Sequence, residues 1–376
     1  EIATLHVIDT ETGKDIESAI PNAHSVCWND ESTGFYYTCG PKPGSVSDND
    51  IRMNTKLYFH TIGDLHENDQ MIFGEGRPSD DMLHISRTKG APYAVLSVSQ
   101  EWSRNELYLI DIKTHSVTPF VTGIDASFSV LSLKDALLIW TNHNANNGQL
   151  LHLDVKKVGE GLTAARVIIP ESDSTLEWFW ATKSRILVEY TKDISDTIQV
   201  FDFEGNKKGK LPSPELAAIG VSTSTESDVL YMAIQTPVSA TVTYKANAVA
   251  LECEEIRRVA SPHSSDEYEA YIEWCVAKDG TRLPSLVAHK KGIVRDGSNS
   301  TMLYGYGGFA VSETPYYVGA TMAWLEAGGI FVDAVIRGGG EYGDAWHRAG
   351  ILEKKQVSFD DFIAGFSNHG LLTVMA

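Results

Sequence analysis

The 376-residue chain is 43% hydrophobic and 22% charged, an ordinary globular mixture with ample apolar side chains for a sizeable core. Its 50 acids against 31 bases leave a net charge of −19, with 36 acids and 22 bases in residues 1–260 and 14 acids and 9 bases in residues 261–376. A field of that sign repels phosphate backbones, and no run approaches the ~18 apolar residues of a membrane helix, so a nucleic-acid binder and a transmembrane protein are both excluded as expectations.

The chain opens Glu1-Ile2-Ala3-Thr4, without an initiator Met or the basic and apolar stretches of a signal peptide, an opening that reads as that of a fragment. Apolar residues then alternate with polar or aromatic ones in a short pattern ending in Asp or Gly. The copies are Leu5–Asp9, Leu57–Gly63, Leu107–Asp111, Leu150–Asp154, Ile198–Asp202 and a weaker Val242–Lys245. Their starts are separated by 52, 50, 43, 48 and 44 residues. Further strand-like runs, Tyr93–Val98 and Arg185–Tyr190 among them, lie between the copies, and turn clusters such as Thr12-Gly13-Lys14 follow several of them. A period of roughly 40–50 residues holding about four short strands is the arithmetic of a β-propeller blade, ahead of a large β-sandwich with coincidental spacing. About five blades are expected whole, with one cut at the N-terminus.

The four cysteines, Cys27, Cys39, Cys253 and Cys275, are too few and too scattered for a disulfide framework, and no CxxC or zinc pattern occurs. Free thiols in a reducing cytosol are expected, with no metal and no cofactor.

The character changes near residue 262. A strand pair, Leu283–His289 and Thr301–Tyr306, is followed by a helical stretch from Pro315 to Ala327 that Gly328-Gly329 should stop in a left-handed cap. Ile330–Ile336 then reads as a buried strand. Strand, helix and strand without repeats is α/β grammar, so the expected domains are a propeller over 1–260 and the N-terminal part of an α/β domain over 261–376.

Gly338-Gly339-Gly340-Glu341-Tyr342-Gly343 formally satisfies GxGxxG, with Asp360 about 20 residues on. A dinucleotide site is rejected: that acid should end a second strand, whereas Ser358-Phe359-Asp360-Asp361-Phe362 looks like a helix start, its two Asp residues facing the helix dipole. Histidines 6, 60 and 152 fall in the strand repeats and are expected to be surface or packing residues. Gly365-Phe366-Ser367-Asn368-His369-Gly370 is a degraded G-x-S-x-G nucleophile elbow. Tyr304-Gly305-Tyr306-Gly307-Gly308-Phe309 follows a strand where an α/β-hydrolase carries a Gly-rich oxyanion loop, in which a Tyr hydroxyl can donate to a developing oxyanion.

At these residues the chain resembles the prolyl oligopeptidase family, cytosolic serine peptidases in which a seven-bladed propeller caps an α/β-hydrolase domain. The segments that carry the likeness are KDGTRLP (278–284), HKKGI (289–293), LYGYGGF (303–309), TP (314–315), IRGGGEYGDAWHRAGIL (336–352) and FDDFIA (359–364). The resemblance implies that Ser367 holds the nucleophile position and that the Tyr306 hydroxyl and the Asn368 amide donate into the oxyanion hole. It further implies that Phe309 lines the proline pocket, where an aromatic ring can stack on a flat pyrrolidine. The implied activity is a serine endopeptidase cleaving short peptides on the carboxyl side of proline, monomeric, cytoplasmic, and with no nucleic-acid or membrane partner.

The departures are large. The family places a helix and a strand between FDDF and its nucleophile, whereas here Ala364 runs directly into Gly365. Phe366 and His369 replace glycines. Residues 368–376 hold no acid and one histidine, so the triad Asp and His have no counterpart, and Ser367 lacks a base. The alternative expectation is therefore a catalytically inactive fragment or a non-catalytic propeller module.

Overall fold

A computed structural model of the chain describes residues 2–100, 102–294 and 296–368. The repeats become sheets. β1 (Thr4–Leu5) pairs with β2 (Ile20–Pro21), and five four-stranded sheets follow among the described residues. The first holds β3 (Ala23–Trp28), β4 (Gly34–Cys39), β5 (Lys56–Thr61) and β6 (Gln70–Phe73). The second holds β7 (Met82–Ser86), β8 (Tyr93–Ser99), β9 (Asn105–Asp111) and β10 (Val117–Val121). In the third are β11 (Phe128–Ser132), β12 (Ala136–Thr141), β13 (Gln149–Asp154) and β14 (Arg166–Ile169). The fourth comprises β15 (Thr175–Ala181), β16 (Ile186–Lys192), β17 (Ser195–Phe201) and β18 (Lys207–Lys210). In the fifth are β19 (Ala218–Ser222), β20 (Val229–Thr236), β21 (Ser239–Asn247) and β22 (Glu252–Arg258). In each sheet, neighbours in space are neighbours in the chain, the meander of a propeller blade.

Five of the six sequence copies occupy the same place, the third strand of a sheet: β5, β9, β13, β17 and β21. The copy at Leu5 is shorter than expected, a two-residue strand continued by a single bridge between Ile8 and Asp15. Simple alternation fails in the second strands. Phe35, Tyr36 and Tyr37 of β4, Leu137, Leu138 and Ile139 of β12, and Ile186, Leu187 and Val188 of β16 are all buried. A sheet packed on both faces needs apolar side chains on both, which produces continuous runs. Cys27, Tyr36 and Leu57 pack against Leu83, Ile85 and Leu96 of the next sheet, while Leu187, Ile198 and Val200 pack against Leu230 and Met232. Each such side chain contributes about 1.5–3 kcal/mol on burial. All four cysteines are free, Cys27 and Cys275 buried, Cys39 and Cys253 half-buried.

The chain divides into two compact units: residues up to His143 with Leu150–Val167, and Asn144–Gln149 with the chain from Ile168 on. The second unit carries the α/β part. There β23 (Tyr268–Val276) and β24 (Arg282–Lys290) form a hairpin turned at Gly280. β26 (Ile330–Ala334) lies between β24, antiparallel to it, and β25 (Thr301–Tyr304), parallel to it. The parallel pair is joined through α1 (Gly319–Glu326). Met322 and Leu325, one turn apart, bury that helix against Tyr268 and Ala288. Gly328 stops it at φ +89° as expected, its N–H donating to Leu325 O and that of Gly329 to Trp324 O.

Three expectations shift here. The helix begins at Gly319, because Thr314–Val318 is held outside the helix by Tyr316 N–H on Thr314 O and Tyr317 N–H on the Gln235 side chain. The following strand stops at Ala334, where Val335 N–H turns to Pro284 O. Ser358–Phe362 does not start a helix but lies inside α3 (Lys355–Asn368), which follows the short α2 (Asp344–Arg348).

Candidate active site

The loop after β25 carries the first candidates. Tyr306 and Phe309 face each other with ring centroids 6.4 Å apart at 37°, and they are 44% and 56% exposed. An open aromatic pair of this kind offers a flat apolar face and a phenolic donor side by side. The loop backbone is held in an unusual course. Gly307, Phe309 and Ala310 adopt φ of +56°, +56° and +53°, a region that costs a side-chain-bearing residue about 1–2 kcal/mol.

Three groups hold that course. Lys355 Nζ donates to Gly307 O at 2.5 Å, and Ala310 N–H points at Gly338 O at 3.3 Å. The buried His347 places Nδ1 2.7 Å from Gly338 O and 3.1 Å from Ala310 N. The shorter contact decides the tautomer: an Nδ1 lone pair at 2.7 Å from a carbonyl oxygen would be repelled, so Nδ1 carries the proton and donates to Gly338 O.

The two glycine motifs meet at one point. A Cβ on Gly338 would collide with Gly307 O, and one on Gly307 with the Ile336 side chain. The YGYGG and RGGGEYG loops therefore lie backbone against backbone at Gly307 and Gly338, while Gly340 clears Ala310 O and Gly343 clears Asn146 O.

Sequence reasoning missed the group that anchors the RGGGEYG loop. Asp361, read as a dipole partner, is fully buried and faces Arg337. It accepts Arg337 Nη2–H on Oδ1 at 2.6 Å, and Nε–H and the backbone N–H on Oδ2 at 2.8 and 3.1 Å. Arg337 Nη1 also reaches Asp279 at 2.5 Å, and these carboxylates hold its guanidinium above the ordinary range. Ser358, expected at a helix start, is buried and donates to Arg337 O at 2.6 Å. Spacing offered one signal, since Ser358 and Asp361 are a turn apart and share a helix face.

Ser367 and Asn368 lie in the last turn of α3, and their side chains fall outside the described residues, as does His369 altogether. Gly365 to Asn368 continue a helix, so the strand–turn–helix context of a nucleophile elbow is not what precedes Ser367. The structure thus brings Tyr306 and Phe309 together. Among the described residues no group of His, Cys, Asp or Glu is arranged to hold a metal ion, and no helix is long and apolar enough to cross a membrane. His60, in the repeats, is buried with Nδ1 2.9 Å from Asp69, a packing role.

Comparison with known proteins agrees in two segments. Residues 1–257 match the family model of the prolyl oligopeptidase N-terminal β-propeller domain, and residues 316–369 match that of the prolyl oligopeptidase family. The prolyl endopeptidase of Elizabethkingia meningoseptica is 30% identical over 372 residues, covering 95% of this chain and 51% of the relative. That of Dictyostelium discoideum is 31% identical over 379 residues, covering 90% and 48%. A solved prolyl endopeptidase superposes with a TM-score of 0.92 at 28% identity, over 96% of this chain and 54% of the other. Prolyl oligopeptidase B of Galerina marginata shares the fold, with a TM-score of 0.88 at 21% identity over 98% and 54%. The chain spans about half the length of the curated relatives it matches.

Proposed function

The chain belongs to the prolyl oligopeptidase family of serine peptidases, and on that premise we propose that it carries the propeller, the oxyanion donor and the proline pocket of a cytoplasmic serine endopeptidase acting on short peptides after proline. In this reading residues 1–260 are the propeller and 261–376 the opening part of the peptidase domain. The observation that carries it is the exposed Tyr306–Phe309 pair on a loop pinned by Lys355 and His347. Phe309 stacks on the prolyl ring of a short peptide bound by a monomer. The Tyr306 hydroxyl and the Asn368 amide hold the oxyanion while Ser367 attacks the prolyl carbonyl.

A second reading, that residues 1–376 by themselves bind but do not turn over, is favoured by the helical setting of Ser367 and by the absence of an acid in residues 368–376. Unassisted, a serine hydroxyl stays protonated and poorly nucleophilic. Incubation with a chromogenic glycyl-prolyl anilide separates the two. No hydrolysis is expected from residues 1–376; hydrolysis that disappears in Ser367→Ala would overturn the inactive reading. Binding of a prolyl peptide that is unaffected by Phe309→Ala would sink the pocket assignment.

A further inference from the structure

Carboxyl groups gather where β15–β17 meet the loops that follow β25 and β26, all within one compact unit. Glu177 on β15 accepts the Ser312 hydroxyl at 2.8 Å. Glu341 Oε1 accepts Glu313 N–H at 2.9 Å, and its backbone O accepts the Thr175 hydroxyl at 2.9 Å. Asp333, on β26 opposite Tyr304, feels the charges of Glu313 and Glu341. Glu189 and Asp196 extend the cluster along β16 and β17.

Two oxygens set this cluster apart from a solvated acidic face. Glu341 is 2% exposed and Asp333 6%, yet Glu341 Oε2 and Asp333 Oδ1 have no hydrogen-bond partner among the described residues. An ionised oxygen left so is strongly disfavoured, and like charges beside it add to the cost. Among the described residues no lysine or arginine is among the groups acting on these acids; the nearby Tyr342 feels Arg282, but its hydroxyl donates to Asp193. A proton on either carboxyl relieves that cost. The hydrogen bonds from Ser312 and Glu313 also hold down the loop whose Phe309 and Ala310 sit in left-handed conformations, strain that persists only while the surroundings impose it.

We propose that Glu177, Glu313, Asp333 and Glu341 form a proton-operated latch on the loop carrying Phe309, which holds the loop down while the carboxyls are neutral and releases it when alkaline pH ionises them and their mutual repulsion outweighs the Ser312 and Glu313 hydrogen bonds. Burial first, then mutual repulsion, pushes Glu341 up to about 8, while burial pushes Glu177 up to about 7 against the Ser312 hydrogen bond. Burial likewise raises Glu189 to about 8, Asp196 to about 6, and Glu313 and Asp333 above their ordinary values. Tyr304 and Tyr316 beside them are raised by burial and by Glu313 and Asp333. A carboxyl raised on folding stabilises fully below its unfolded value and loses that stabilisation as pH climbs to its folded value, so the latch weakens as pH rises above about 4.5 and is fully released only near pH 8.

The latch stands apart from the peptidase reading, because its readout is loop protection and not turnover. Hydrogen exchange of residues 1–376, corrected for intrinsic rates, is followed from pH 6 to pH 9. Protection of residues 306–316 is expected to fall at least about tenfold, while that of β20 stays level. Glu341→Gln and, as a second variant, Asp333→Asn are each expected to shrink that fall, because one fewer carboxyl ionises, with folding checked by far-UV circular dichroism. Wild-type protection that changes less than about twofold overturns the latch, as does a folded variant pair that reproduces the wild-type fall. Should neither variant fold, the wild-type profile alone decides.

Discussion

Arg337→Met tests whether the two glycine loops depend on a buried ion pair. Asp361 is 0% exposed and accepts two guanidinium hydrogen bonds and one backbone N–H, all from residue 337. Met matches the length of the Arg stem, so packing is largely kept while both guanidinium bonds vanish. Asp361 is then a buried carboxylate with a single backbone donor, for which about 3–5 kcal/mol is the expected loss. The Asp279 arm adds little, because Asp279 is 52% exposed and such pairs contribute about 0–1 kcal/mol. Asp361→Asn should cost less, about 1–3 kcal/mol, because Arg337 keeps Asp279 and some solvent. The double variant should lose about 2–3 kcal/mol less than the sum of the singles, since the stranded charge is gone. Urea unfolding at pH 7 with unchanged slope measures all three. A loss under about 1 kcal/mol for Arg337→Met, or strict additivity, would refute the reasoning.

Three further outcomes follow from local geometry. Gly307→Ala places a Cβ against Ile336 at φ +56° and should lower stability by about 1–3 kcal/mol, with partial recovery in a Gly307→Ala, Ile336→Val double variant; equal melting temperatures would contradict this. Leu187→Ala, fully buried between two sheets, should cost about 2–5 kcal/mol by denaturant unfolding, whereas the exposed Tyr231→Ala stays within about 0.5 kcal/mol. Burial lifts the Cys27 and Cys39 thiols to about 11, so thiolate is scarce at pH 8 and appears only as pH rises. With Cys275 also buried, a disulfide reagent should label at most Cys253 in the native protein and all four thiols in urea; early labelling of Cys27 would count against the packing.

The propeller was legible in the sequence because each blade repeats one local device, a strand ending at Asp or Gly, and the period alone counts the sheets. The repeat even marked a specific place, the third strand of each sheet: β5, β9, β13, β17 and β21. The α1 stop at Gly328 was equally local, set by one glycine, whereas the Tyr306–Phe309 loop was legible only as a motif, its course being held by Lys355, Gly338 and His347. What the sequence could not disclose was pairing between distant segments. Asp361 looked like a helix-start acid until the fold set it beside Arg337, 24 positions away, and Gly307 and Gly338 looked like parts of separate motifs until they packed on each other. Glu177 and Glu341 are 164 positions apart and become one acidic cluster only through tertiary structure. Period, turn and cap are decided within a few residues by backbone geometry. Charge compensation and its failure depend on which groups are desolvated together, and that is settled only when the chain has folded.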